Sequence, residues 1–194
     1  MMKWAVCLGL LTGATQSASA QEAPQYHLGV RVGYAETNVL HDLHLDGRSD
    51  LNCRSFLAGV AFDTRLTSKP LYFETGLYGA NRGVYVIDGS REYRKDNFSL
   101  MVPALFSYHF YPGHKNFGIS PFVGPFFAYD CGFEKLDYGI KLGFGLNYQK
   151  VVANFGFDFG LKDNLFDNPE GWRENDGLLT SFFVTLGWNF IGNK

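Results

Sequence analysis

The segment Leu136 to Tyr148 limits the folds open to this chain more than any other feature. Tyr138, Ile140, Leu142, Phe144, Leu146 and Tyr148 fall on one parity, and Asp137, Gly139, Lys141, Gly143, Gly145 and Asn147 on the other. A period of two is the period of a β-strand, whose successive side chains point to opposite faces. The same alternation follows at once in Val151 to Leu161, where Val151, Ala153, Phe155, Phe157, Phe159 and Leu161 oppose Val152, Asn154, Gly156, Asp158 and Gly160. One face is bulky and apolar; the other is small or polar.

Six further segments carry the pattern: Tyr26–Ala35, Phe56–Asp63, Leu71–Tyr78, Phe98–Phe110, Ile119–Asp130 and Thr180–Phe190. In Ile119–Asp130 both faces are apolar; Gly124 and Ala128 suit a crowded interior, which sends Pro121, Val123, Phe127 and Tyr129 outward. Pro103 and Pro125 cannot donate to a ladder, so bulges are expected beside them. The connections alternate in length. Residues 36–53, 82–97 and 162–177 are long and polar and 131–135 is intermediate, whereas 66–70, 111–118 and 149–150 are short. Eight strands with long loops on one rim and tight turns on the other predict an all-β, eight-stranded antiparallel transmembrane β-barrel. Register offers an internal check. A two-residue turn at Gln149-Lys150 opposes Phe144 to Phe155, Leu142 to Phe157 and Lys141 to Asp158, which joins apolar to apolar and cation to anion. Gln-Lys nevertheless lacks the Gly or Asn that such turns favour.

Residues 1–20 read as a cleaved secretory signal, with Lys3, an apolar core from Trp4 to Leu11, and Ala18-Ser19-Ala20 as a small-x-small site. The barrel domain is then 21–194. The apolar core is far shorter than the roughly 20 residues of a spanning helix. Any passage through a membrane therefore falls to strands. Seventeen basic against 19 acidic residues give a net charge of −2, without the basic stripe of a nucleic-acid binder.

A secreted sandwich or lipocalin-like barrel would turn the polar face to water. That face here is rich in Gly139, Gly143, Gly145, Gly156 and Gly160 and poor in Lys and Glu, unlike a solvated surface. Bulky residues toward lipid and small ones toward a narrow lumen account for both faces. Tyr26, Tyr34, Tyr108, Tyr129, Tyr138, Tyr148 and Trp188 stand at predicted strand ends, as an aromatic girdle would.

With Tyr72–Tyr78 (YFETGLY), Phe98–Tyr108 with Pro103 mid-strand, Ser120–Gly124 (SPFVG) and the closing Phe182–Phe190, the chain resembles the Bacteroidota-type outer-membrane β-barrel domain, the PorT-like or porin-family group. The resemblance implies an outer-membrane location, insertion by the barrel-assembly machinery and, for some members, service in a secretion or surface-assembly machine. That machinery typically reads a terminal aromatic. Phe190 matches, although Ile191–Lys194 follow it.

Inward ionisable residues are expected at Arg31, Asp63, Glu74, His109, Lys141 and Asp158. An eight-stranded interior is just wide enough for side chains, so these should pair: Lys141 with Asp158, and Arg31 with Glu74 or Asp63. Ser107 and His109 share a face and, with Glu74 or Asp63, raise the alternative of a lipid-modifying hydrolase. Their inward direction, away from acyl chains, argues against it. His41 and His44 with Asp42, Asp46 and Asp50 read as solvated loop polarity, so no metal and no cofactor is expected. Cys53 and Cys131 lie at the long-loop rim, where a disulfide would require the loops to fold across the mouth. The function expected is structural, or binding through the loops to an unspecified extracellular ligand, by a monomeric barrel bathed in outer-membrane lipid.

Overall fold

The computed structural model describes residues 26–41, 48–51, 53–88, 91–95, 97–112, 116–132, 134–162 and 177–192. The signal segment, His44 and Trp172 lie outside them. Eight strands form the barrel: β1 (Tyr26–His41), β3 (Cys53–Arg65), β4 (Leu71–Asn81), β7 (Phe98–Tyr108), β8 (Phe117–Asp130), β9 (Lys135–Tyr148), β10 (Val151–Gly160) and β11 (Gly177–Gly192). They run in the order β1-β11-β10-β9-β8-β7-β4-β3, and β3 closes back on β1. Three short strands lie in regions read as plain loop: β2 (Arg48–Leu51), β5 (Val84–Asp88) and β6 (Arg91–Lys95) form a separate sheet ordered β2-β5-β6. Cross-strand pairing thus joins the first long connection to the second.

The register fixes the shape. Following paired residues round the wall leads from Arg54 through Glu36, Phe182, Phe157, Leu142, Val123, Phe106 and Phe73 to Thr64. One circuit therefore ends ten residues further along β3, from position 54 to position 64. An offset of this size tilts the strands by about 35–45° to the barrel axis and leaves an interior that side chains can fill.

Alternation decides which side chains do so. Phe56, Val60, Leu77, Val102, Phe106, Val123, Phe127, Leu142, Phe144 and Leu186 are exposed on the outer wall. Pro121, Val123, Phe127 and Tyr129 face outward, and Phe122, Phe126 and Ala128 are buried inside. The lumen is less uniformly small than the sequence suggests. Leu57, Leu105, Phe122 and Phe183 form an apolar cluster backed by Tyr78, and Met101, Phe126 and Ala128 form a second. Inward glycines make this fit. A carbon added to Gly143 would meet Phe122 Cζ at 2.8 Å, and one on Gly156 would meet Phe183 Cζ at 2.7 Å. Rings from one strand occupy room that glycines on its neighbours leave free.

Three expectations of detail change. β1 runs on to His41, so Tyr34 sits mid-strand rather than at a strand end. Pro103 and Pro125 produce no bulge: pairing lapses between Thr75–Ala104 and Tyr78–Met101, and between Pro103–Phe126 and Phe106–Val123, with register unchanged on both sides. A missing N–H removes a bond without requiring an extra residue, and the Thr75 hydroxyl donates to the Pro103 carbonyl at 2.8 Å. The register shift in the wall falls instead between Leu28 and Gly29, where Phe190 is the extra residue on β11.

The β9–β10 turn pairs Phe144 with Phe155, Leu142 with Phe157 and Lys141 with Asp158. Gln149 holds it at φ 54°, in the left-handed region, with its N–H donating to the Asn116 carbonyl at 2.9 Å. Since glycine adopts this conformation without strain, Gln149→Gly should stabilise the folded barrel by about 0.5–1 kcal/mol. Urea unfolding in lipid vesicles measures this as a higher midpoint; an unchanged or lower midpoint would show that the Gln149 side chain matters more than its backbone.

Candidate functional site

Buried side chains line the described part of the lumen in three layers. At the long-loop end, Arg82, just beyond β4, reaches inward to β8 and β9. Its Nη2 donates to Asp137 Oδ2 at 2.7 Å, its Nη1 lies 3.9 Å from Asp130 Oδ1, and the guanidinium stands 5.5 Å from the centre of the Phe126 ring. Asn97 Nδ2 donates to Asp130 Oδ1 at 2.8 Å, the Ser99 hydroxyl donates to the same oxygen, and the Gly132 N–H donates to Asn97 Oδ1 at 2.7 Å. The Arg82, Asp130 and Asp137 side chains are 2%, 0% and 0% exposed. The sequence reading missed this network. Arg82 lay in a segment taken for loop, and Asp130 and Asp137 stood at strand ends; the usable signal was the inward parity of both aspartates.

In the middle layer Lys141 Nζ donates to Asp158 Oδ1 at 2.8 Å and sits 3.4 Å above the centre of the Phe183 ring. Arg31 does not meet Glu74 or Asp63. Its Nη2 donates to Asn189 Oδ1 at 2.8 Å and its Nη1 to the Val30 carbonyl at 3.0 Å. The amide of β11, the immediate neighbour of β1, lies within easier reach than a carboxylate two strands away on β4. Glu74 borders a cavity of about 40 Å³ together with Tyr78, Lys141, Asp158 and Thr185. That is room for about three waters.

At the short-turn end His27 Nδ1 and Asp63 Oδ1 are 2.5 Å apart, so Asp63 is taken by histidine rather than by Arg31. Tyr72, fully buried, stacks on His109 with ring centres 4.0 Å apart. Tyr111 lies behind His109 at 6.5 Å, and burial raises its phenol above the usual range. Ser107 Oγ is 3.2 Å from His109 Nε2, the approach a nucleophile and base require. His109 Nδ1, however, has no partner among the described residues, and Ser107 is 1% exposed. Among the described residues no acid bonds that nitrogen to orient the imidazole, as a Ser-His-acid triad requires.

Cys53, which is buried, and Cys131, which is exposed, are not joined to each other, so the disulfide held open by the sequence is not formed. Among the described residues no group of three or more His, Cys, Asp or Glu could hold a metal ion. Tyr26, Tyr129, Tyr138, Tyr148 and Trp188 are exposed on the outer wall, and Tyr34 and Tyr108 are half-buried there.

No protein-family model matches the chain, and no curated protein matches it. Solved structures do. The outer membrane protein OprG of Pseudomonas aeruginosa aligns over 86% of this chain and 96% of its own, with a TM-score of 0.51 and 13% identity. Neisserial surface protein A (NspA) aligns over 84% and 97% at a TM-score of 0.44 and 13% identity. Ail, the attachment invasion locus protein of Yersinia pestis, aligns over 87% and 100% at 0.42 and 12%. The closed ladder and the OprG likeness define the class: an eight-stranded antiparallel barrel of the kind found in bacterial outer-membrane proteins.

Arg82→Leu leaves two carboxylates buried without their cation and should lower stability by about 3–5 kcal/mol, read as a lower urea midpoint. The triple variant R82L/D130N/D137N should recover much of that loss. Thiol labelling should modify Cys131 in the folded barrel and both Cys53 and Cys131 after unfolding; a barrel that resists labelling until reduced would contain the bond.

Proposed function

We propose that this chain is a small protein of the bacterial outer membrane that conducts no solute and acts through its long-loop end. The filled lumen carries this reading. The Arg82–Asp130–Asp137 network closes one end, Leu57, Leu105, Phe122 and Phe183 occupy the centre, and Tyr72 with His109 fills the other end. Among the described residues, side chains at these three levels narrow the bore, which supports a lumen that passes no solute. The outer wall supports the location: its apolar side chains are exposed, and the charged residues on that parity among the described barrel strands, Glu36 and Arg54, belong to one row at the long-loop side. Such a belt suits the hydrocarbon core of a bilayer.

What projects from the barrel can then do the work. The β2-β5-β6 sheet joins the first two long connections into a paired platform, and binding surfaces commonly lie on loops carried by a rigid scaffold. On this reading the chain is exported through residues 1–20, inserted by the barrel-assembly machinery and monomeric, since closure leaves the barrel no free edge. Membership of the PorT-like group, with service in a surface-assembly machine, is the narrower form of the proposal, and co-purification of stoichiometric partners from intact membranes tests it.

Folded protein should migrate anomalously on unheated gels and give no steady conductance steps in planar bilayers. Reproducible steps of fixed size would overturn the closed-lumen reading. Protease added to intact cells should cut within residues 82–97 and spare the eight barrel strands; cleavage only after the membrane is permeabilised would reverse the orientation.

A further inference from the structure

The two rims differ in charge. Arg65 ends β3, Lys69 lies on the connection from β3 to β4, and Lys150 lies in the β9–β10 turn; Lys69 and Lys150 are exposed. Arg65 Nε donates to the Lys69 carbonyl at 3.2 Å, and its Nη2 donates to the Ser68 carbonyl, which keeps the guanidinium on the turn. Lys115 belongs by sequence to the connection between β7 and β8, outside the described residues. Among the described residues of this rim the carboxylate is Asp63, 6% exposed and bonded to His27, so it does not neutralise the lysines at the surface. The long-loop rim is mixed, with Glu36, Asp130, Glu134 and Asp137 among Arg54, Arg82, Lys135 and Lys162.

Beside the basic groups are exposed apolar and aromatic side chains: Leu66 at 47%, Tyr148 at 56% and Trp188 at 51%. Val151, next to Lys150, pairs with both Tyr148 and Trp188, and the Lys150 carbonyl accepts from the Asn189 N–H at 2.8 Å. The lysine is therefore tied to the aromatic row. Trp and Tyr rings settle at headgroup depth, where a flexible lysine can extend to a phosphate.

We propose that the short-turn rim is a collar for anionic phospholipid headgroups, with Lys69, Lys150 and Arg65 engaging lipid phosphates of the adjacent leaflet. This rests on the bilayer reading above. The aromatic row selects a lipid as the occupant, because it sets the cations at the depth of phosphates already in the membrane. Exposed lysines near an anionic surface each contribute up to about fivefold in lipid preference, screened by salt.

Trp188 supplies the readout. Full-length chain carrying W4F and W172F, which leaves Trp188 as the single tryptophan, is reconstituted in phosphatidylcholine nanodiscs. A fixed fraction of the lipid is brominated phosphatidylglycerol in one set and brominated phosphatidylcholine in the other. The collar predicts at least about twofold stronger association of the phosphatidylglycerol quencher, a preference that shrinks in high salt and falls to near unity in K69Q/K150Q. Heat-modifiable migration confirms that each variant is folded. Equal quenching by the two lipids in a folded, inserted barrel overturns the collar alone. A preference that K69Q/K150Q leaves intact also overturns it. Competition by inorganic phosphate would make this a free-phosphate site rather than a lipid collar. Failure of the chain to insert at all would overturn the membrane reading beneath it.

Discussion

The rest of the molecule depends on closure of the backbone ladder. A sheet that faces hydrocarbon has no water to satisfy its N–H and C=O groups, so each strand must find a partner on both sides. The pairing of β3 with β1 supplies the last of these bonds. Once the sheet is closed, strand number and register are linked. The ten-residue offset round the wall sets tilt and bore, and the bore in turn limits which inward side chains can coexist. Rings at Phe122, Phe126 and Phe183 are admitted because Gly139, Gly143 and Gly156 stand beside them. The even spread of inward glycines is thus the complement of a few large residues, not the lining of an empty tube.

Within that bore, the ends are polar, and the centre combines an apolar cluster with the Lys141–Asp158 pair. Burying Arg82 with Asp130 and Asp137 removes three charges from water, a cost that the 2.7 Å bond and the bonds from Asn97 and Ser99 offset. An apolar filling of equal volume would hold the barrel as well. What the charged network adds is position: it ties the root of the second long connection to β8 and β9, so the platform above begins from a defined point. At the other end Tyr72 and His109 close the bore mainly by stacking, and the His27–Asp63 pair absorbs the remaining charge.

The wall was legible in the sequence because period two survives in every strand. Where both parities of β8 were apolar, Gly124 and Ala128 still marked the inner face. The Lys141–Asp158 contact could be read from a turn of two residues, since a short turn leaves one register. Arg31 was misassigned for the converse reason. Its candidate partners lay on strands whose offset depends on a long loop, and the sequence does not encode that offset locally. The network around Arg82 escaped because its cation lay beyond the predicted end of β4, in a segment read as loop, which left the inward Asp130 and Asp137 without a visible partner. The short strands β2 and β6 were hidden by their charged composition, which resembles a loop, and β5 by its length of five residues between Gly83 and Gly89. The prolines were judged by their usual effect, but a barrel held on both sides tolerates two missing bonds without slipping register.

The pairing of β2 with β5 carries a consequence for how such a surface can change. Arg48 stands opposite Asp88, and Leu51 opposite Tyr85, so the first two long connections share one set of backbone bonds. Shortening or replacing either one strips the other of a neighbouring strand. These two loops therefore form a single heritable module, to be exchanged together or not at all, whereas no such pairing ties the other connections to them among the described residues.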